Sequence, residues 1–185
     1  QCRKEWSAEV QYDYDEMVKL AEQAAPFRSL LDPDYPEFFN PVSMPGAIRL
    51  FCQKTSQPIP ATHSHYVRCI LESLALKYRS TLDQLQRLTG RRIKRIHVIG
   101  GGAKNGLLCQ YAANATGATV IAGPVEATAI GNIMVQALAA GCVDSLKEIR
   151  SIVRKSFEPV SYEPKETEVW QQAYARYKEL SSTSL

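Results

Sequence analysis

Apolar residues recur at steps of three and four through residues 64–89: Val67, Ile70, Leu71, Leu74, Tyr78, Leu82, Leu85 and Leu88. That spacing predicts one long amphipathic helix with Gly90 as its stop. The apolar face is too broad for a coiled-coil seam and reads as a helix packed on a sheet, with Ile70, Leu74 and Tyr78 against a strand at Ile96–Ile99. Residues 12–25 carry Met17, Val18, Leu20, Ala21, Ala24 and Ala25 after early acids, and predict a second helix. Between the two lies "LLDPDYPEFFNPVSMPG", Leu30 to Gly46. Its four prolines rule out a long helix or a central strand. The aromatics Tyr35, Phe38 and Phe39 predict that this loop is pinned to the body by packing. A short helix starts at Pro45 and runs to residue 54, and "QPIPAT" (Gln57–Thr62) breaks it.

The pattern then changes period. Ile96-His97-Val98-Ile99 reads as a short buried strand that breaks into Gly100, Gly101 and Gly102. A helical pattern follows, with Leu107, Leu108, Tyr111, Ala112 and Ala115 on one side and Gly117 as its stop. "ATVIAGP" (Ala118–Pro124) reads as a second buried strand, and "EATAIGNIMVQALAAG" (Glu126–Gly141) as a helix of small residues. Gly131 in that helix costs about 1 kcal/mol relative to Ala, which predicts a close approach there by a neighbouring element or a ligand. Two helices, around 146–155 and 165–180, close the chain, the last with Val169, Trp170, Ala173, Tyr174 and Tyr177 on a spiral. The order gives α/β layering. Two strands are few for helices of this size, and the chain begins Gln1-Cys2-Arg3 without Met, so further strands are expected upstream of Gln1.

Composition narrows the class. The 185 residues fit one domain or at most two. The net charge of +3 is spread along the chain, with "GRRIKR" (Gly90–Arg95) the sole basic cluster; nucleic acid is therefore a poor candidate partner. No apolar run approaches the roughly 18 residues that mark a membrane span, and no secretory signal is visible. The five cysteines are widely spaced without a C-x-x-C pair, which fits a reducing cytoplasm better than a disulfide framework or a zinc site. His63 and His65, two apart, point to different faces of a helix and make a poor metal pair.

The triple glycine carries the candidate chemistry. In the dinucleotide pattern G-x-G-x-x-G, Gly100 and Gly102 fit, but Asn105 takes the third place and the second strand ends without an acid for a ribose. Gly101 and Gly106 have Walker spacing, but Leu107 and Leu108 follow where Lys and Ser or Thr belong. Two readings stand on the residues alone. One is a tight strand-to-helix turn, which needs a single glycine. The other is an adenine-nucleotide pocket, in which bare backbone lies against a flat ligand, first-turn N–H groups donate to it, and Asn105 supplies a donor and an acceptor.

The run "IHVIGGGAKNGLLCQYAANATGATVIAGPVEATAIGNIMVQALAAG" resembles the carboxy-terminal signature of the FGGY carbohydrate kinases, and more narrowly their L-rhamnulose branch. "DPDYPEFFNPVSMPGAI", "TSQPIP" and "VRCILESLALKYR" resemble that branch in the same order, so the likeness covers about Gln1 to Val153. It implies the carboxy-terminal lobe of an actin/Hsp70/sugar-kinase-like (ribonuclease H-like) fold, helix-rich, spanning residues 1–185, with the first strands and the amino-terminal lobe upstream. It implies ATP in the cleft between the lobes and a sugar hydroxyl attacking the γ-phosphate in the presence of Mg²⁺. The aspartate base, the phosphate loop and the sugar contacts lie upstream in the family, leaving no catalytic residue and no metal ligand in this chain. Gly101 and Asn105 would lie along the adenosine, flanked by Gly100 and Gly102. The whole enzyme would convert L-rhamnulose and ATP to L-rhamnulose 1-phosphate and ADP in the cytoplasm, and this chain alone would be inactive. An L-fuculose or pentulose kinase is the alternative within the family, and a non-catalytic actin-fold nucleotide module the alternative outside it. One departure is Ser64-His65, where the family often has Gly-Glu. The family's ATP-contacting glutamine falls at or just before Gln1, in a register that the sequence leaves open.

Overall fold

A computed structural model describes residues 1–183. Among these, eight α-helices and three strands follow in the order α1 (Cys2–Trp6), α2 (Tyr14–Gln23), α3 (Met44–Lys54), α4 (His63–Thr89), β1 (Arg95–Val98), α5 (Gly106–Thr116), β2 (Thr119–Ala122), α6 (Ala127–Ala139), α7 (Leu146–Ser156), β3 (Val160–Tyr162) and α8 (Thr167–Thr183). Local chemistry sets the boundaries. Asp13 and Glu16 close a capping box on α2. Ser43 caps α3 ahead of Pro45, whose missing N–H is harmless in a first turn. Thr62 caps the start of α4, and Gly90 ends it in the left-handed conformation at φ 64°.

The sheet is small. β1 runs parallel to β2, with Ile96 opposite Val120. β3 pairs antiparallel with the other side of β2, with Ile121 opposite Ser161. Neither β3 nor α1 announces itself in the sequence: each is too short to show a period.

Most of the core is helical. α4 packs against α2, α5 and α8, while α5 carries the contact to β2 and β3. The main cluster joins Val67, Leu71, Ala75 and Leu76 of α4 to Trp6, Phe51, Trp170 and Tyr177. A smaller one sets Cys109, Ala112 and Ala113 of α5 against Val120 and Ala122 of β2.

Several expectations are corrected here. The long helix does not lie on β1: α5 meets the sheet in its place, Ile70 and Leu74 are half-buried, and Tyr78 is 40% exposed. β1 is not a buried strand, because among the described residues it pairs on one side only; Ile96 and Val98 are half-buried and Arg95 and His97 exposed. In the proline-rich loop, Tyr35 and Phe38 pack on Phe51 as expected, whereas Phe39 is 91% exposed. Val169 likewise faces outward, while Trp170, Ala173, Tyr174 and Tyr177 are buried. A Cβ built at Gly131 would meet nothing within 4 Å, so no described neighbour makes the close approach expected there.

His63 stacks on Trp6 with ring centroids 4.1 Å apart and shares a hydrogen bond with the Tyr12 hydroxyl at 3.1 Å. His65 Nδ1 accepts the Ala61 N–H at 3.4 Å. All five cysteines are free thiols, and Cys142 alone among them is exposed. Among the described residues, no helix is long and apolar enough to cross a membrane.

Candidate functional site

β1 ends at Val98, and the chain turns through one short 3-10 segment, Gly100–Lys104, before α5 begins. Two hydrogen bonds tie this turn to the end of β2: the Gly123 N–H donates to the Val98 carbonyl at 2.8 Å, and the Gly100 N–H donates to the Pro124 carbonyl at 3.2 Å. The glycine turn is thus fixed to the neighbouring strand end.

The three glycines differ in what demands them. Gly100 has φ +73°, a conformation that any side chain would strain. A Cβ at Gly102 would lie 3.5 Å from Val98 Cγ1, an ordinary contact. A Cβ at Gly101 would meet nothing within 4 Å, and its φ is not left-handed. The turn reading therefore explains Gly100, but nothing in the described chain requires glycine at 101. Gly101 and Gly102 are exposed, so their backbone forms an open wall.

Asn105 has a structural task that its spacing did not reveal. It is the N-cap of α5: its Oδ1 accepts the Leu108 N–H at 3.0 Å, and its carbonyl accepts the Cys109 N–H at 3.0 Å. Its acceptor is therefore engaged in the helix start, and the side-chain NH₂ is the group left to offer a ligand. The preference of Asn for N-caps was the available signal.

Under the turn lies Tyr162 of β3, a residue that sequence reasoning missed because its three-residue strand was invisible. Its hydroxyl sits 3.0 Å from where a Cβ on Gly106 would be. Burial and the nearby Cys109 push its phenol pKa up, and burial pushes up that of Cys109.

A cavity of about 540 Å³ lies elsewhere, among α1 to α4. Met17, Leu31, Phe38, Ile48 and Leu74 make it mainly apolar, with Arg3 and Lys4 from α1 also lining it.

Residues 1–140 match the model of the FGGY family of carbohydrate kinases, C-terminal domain. A rhamnulokinase of Bacteroides thetaiotaomicron is 44% identical over 177 residues, covering 96% of this chain and 36% of that protein. A rhamnulokinase of Bacillus subtilis is 37% identical over 155 residues, 84% of this chain and 32% of that protein. The chain thus spans about a third of the length of the curated relatives it matches. Among solved structures, xylulose kinase from Rhodospirillum rubrum covers 98% of this chain and 36% of its own at TM-score 0.65 and 22% identity. Plasmodium falciparum glycerol kinase with ADP covers 97% and 35% at TM-score 0.68 and 17% identity. These likenesses show the helix-rich α/β fold of the sugar kinases, and with residues 1–140 matched to its C-terminal domain the chain belongs to the FGGY family of carbohydrate kinases.

Proposed function

We propose that residues 1–185 form the nucleotide-binding lobe of an ATP-dependent sugar kinase acting on L-rhamnulose, in which the Gly100–Gly102 wall and Asn105 hold the adenosine. The observation that carries this reading is Gly101: its conformation and neighbours both permit a side chain, yet the residue is glycine. Bare backbone at an exposed strand end suits a flat base, and the NH₂ of Asn105 is the adjacent donor. The choice of sugar rests on the rhamnulokinases among the relatives.

Phosphoryl transfer is chiefly positioning and charge stabilisation, so a lobe that grips only the adenosine does not catalyse it alone. The amino-terminal lobe of the same protein would supply the base, the phosphate loop and the sugar contacts. Among the described residues, no three His, Cys, Asp or Glu side chains are grouped to hold a metal ion. The Mg²⁺ that accompanies ATP in this chemistry would be held mainly by the phosphates and water, with one or two carboxylates at most from the protein. The five free thiols suit work in a reducing cytoplasm.

The test is a coupled ADP-release assay on the full-length protein with L-rhamnulose, L-fuculose and xylulose. The highest kcat/KM should belong to L-rhamnulose. A preference for L-fuculose or xylulose would overturn the sugar assignment. Nucleotide binding without turnover of any sugar would make the protein a non-catalytic module.

A further inference from the structure

Residues 141–185 lie beyond the part that matches the family model, yet Tyr162 among them abuts the candidate site. Tyr162 pairs with Val120 across the β2–β3 ladder and packs in the small core with Cys109. The segment around it is fastened to α5 and β2 at three points. Gln110 Nε2 donates to the Glu163 carbonyl at 2.8 Å. Thr119 Oγ1 donates to the Glu163 carboxylate at 3.0 Å. The Lys165 N–H donates to Asn114 Oδ1 at 2.9 Å. The phenol ring is thus held in place, and its hydroxyl abuts the first residue of α5, directly after Asn105. Gly106 has no left-handed φ, so conformation does not demand glycine there; a Cβ would instead lie 3.0 Å from the Tyr162 hydroxyl, tight enough that one of the two must give. On the same underside, Cys109 Sγ lies 3.9 Å from the Gly102 carbonyl.

We propose that Tyr162 is a positioning residue for the nucleotide wall: lodged against Gly106, it sets the height of the Gly100–Asn105 turn, and through that turn the affinity for the adenosine group. The inference rests on the nucleotide site proposed above. It gives the carboxy-terminal segment an indirect part in ligand binding, through the turn.

The steric logic defines the test. An Ala at position 106 places a methyl 3.0 Å from the hydroxyl oxygen, and the turn or the ring must shift. In Tyr162→Phe the nearest ring atom is Cζ at 3.8 Å, an ordinary contact, so the conflict disappears. ATP titrations on the full-length protein, with melting points and amide exchange of residues 100–105, compare Gly106→Ala in the wild-type and Tyr162→Phe backgrounds. Gly106→Ala should weaken ATP binding about tenfold, less than the roughly hundredfold that a full 1 Å misplacement of a positioning group can cost in rate, with the sugar KM unchanged. In the Tyr162→Phe background the same change should cost no more than about twofold, which is the non-additivity of two groups in contact. Tyr162→Ala, which removes the ring, should weaken ATP binding and speed exchange at residues 100–105.

Three results would overturn the proposal: ATP bound by Gly106→Ala as by wild type, an equal loss in both backgrounds, or a melting point lowered by Tyr162→Ala with ATP affinity intact. The third also serves if Gly106→Ala fails to fold. The wild-type titration comes first: no ATP binding there overturns the nucleotide site and this inference with it, whereas binding that ignores these variants overturns the inference alone.

Discussion

The carboxylate of Glu72 in α4 accepts the backbone N–H of Phe27 at 2.8 Å, across 45 residues of sequence. Glu72 is almost fully buried, and Arg68 Nε donates to its other oxygen at 2.7 Å. Arg68 also reaches the Ala21 carbonyl at the end of α2, and Arg176 of α8 reaches the Phe27 carbonyl. One buried acid therefore fastens the loop after α2 to the central helix. Burial raises its pKa above the ordinary 4.5; Arg68, the Phe27 N–H and Arg176 oppose the rise without cancelling it.

The sign of the pH dependence follows. A carboxyl whose folded pKa is raised binds its proton more tightly when folded, so its contribution is complete below the unfolded pKa and declines as pH climbs through the folded one. Glu72→Gln removes the titration and keeps an acceptor for Phe27. Urea unfolding from about pH 4 to about pH 7 should show wild type losing stability relative to the variant as pH rises. Wild type gaining on the variant over that range would contradict the assignment.

Two leucines of α4 separate its true core face from the face read in the sequence. Leu76 is fully buried, whereas Leu74 is half-buried on the wall of the apolar cavity. Leu76→Ala should cost about 2–5 kcal/mol in chemical denaturation, and Leu74→Ala less than about half as much. Equal losses would show that the cavity wall is as tightly packed as the core.

Thiol labelling tests the burial pattern. Burial raises the pKa of Cys2 and of Cys52 to about 11, and also raises those of Cys69 and Cys109, so these thiols are both covered and poorly ionised. Since the thiolate is the nucleophile, iodoacetamide at neutral pH should modify one site quickly in the native protein, and Cys142→Ser should abolish that fast phase. A second fast site would mean that one of the buried four opens to solvent.

Asn105 caps α5 and, in the proposed site, would also offer its NH₂ to the nucleotide; substitution can separate the two. Asn105→Ala removes the cap of α5, a loss of about 0.5–2 kcal/mol in stability, together with the donor proposed for the nucleotide. Asn105→Asp keeps an oxygen for the Leu108 N–H, removes the donor and adds a negative charge. The Asp variant should melt near wild type and bind ATP several-fold more weakly. If it binds ATP as tightly as wild type, Asn105 is a cap and nothing more.

Much of this architecture is legible in the sequence wherever a signal is long or chemically distinct. Helix α4 shows eight apolar positions in register before Gly90, and α3 shows Ser43 and Pro45 at its start. What stayed hidden depends on contacts between distant segments. Periodicity alone did not show that α4 rests on α5, because an apolar face looks the same whether a helix or a sheet covers it. Strand β3 has three residues, too few for alternation, so Tyr162 and its fit against Gly106 had no local signature. In the candidate site the glycines were legible as an exception to ordinary turn chemistry. Which of them the fold itself requires became clear only from φ at Gly100 and the open space at Gly101.

The central claim is that the backbone at Gly101 faces adenosine. Because a Cβ there meets nothing within 4 Å and φ is ordinary, Gly101→Val should leave the melting point within error of wild type. The decisive measurement is titration of ATP, ADP and AMP against the full-length protein and this variant. We expect Gly101→Val to weaken all three severely and by similar factors, since the phosphates would be held by the other lobe. ATP binding as tight as that of wild type would mean that the glycines only make a turn, and that the nucleotide lies elsewhere.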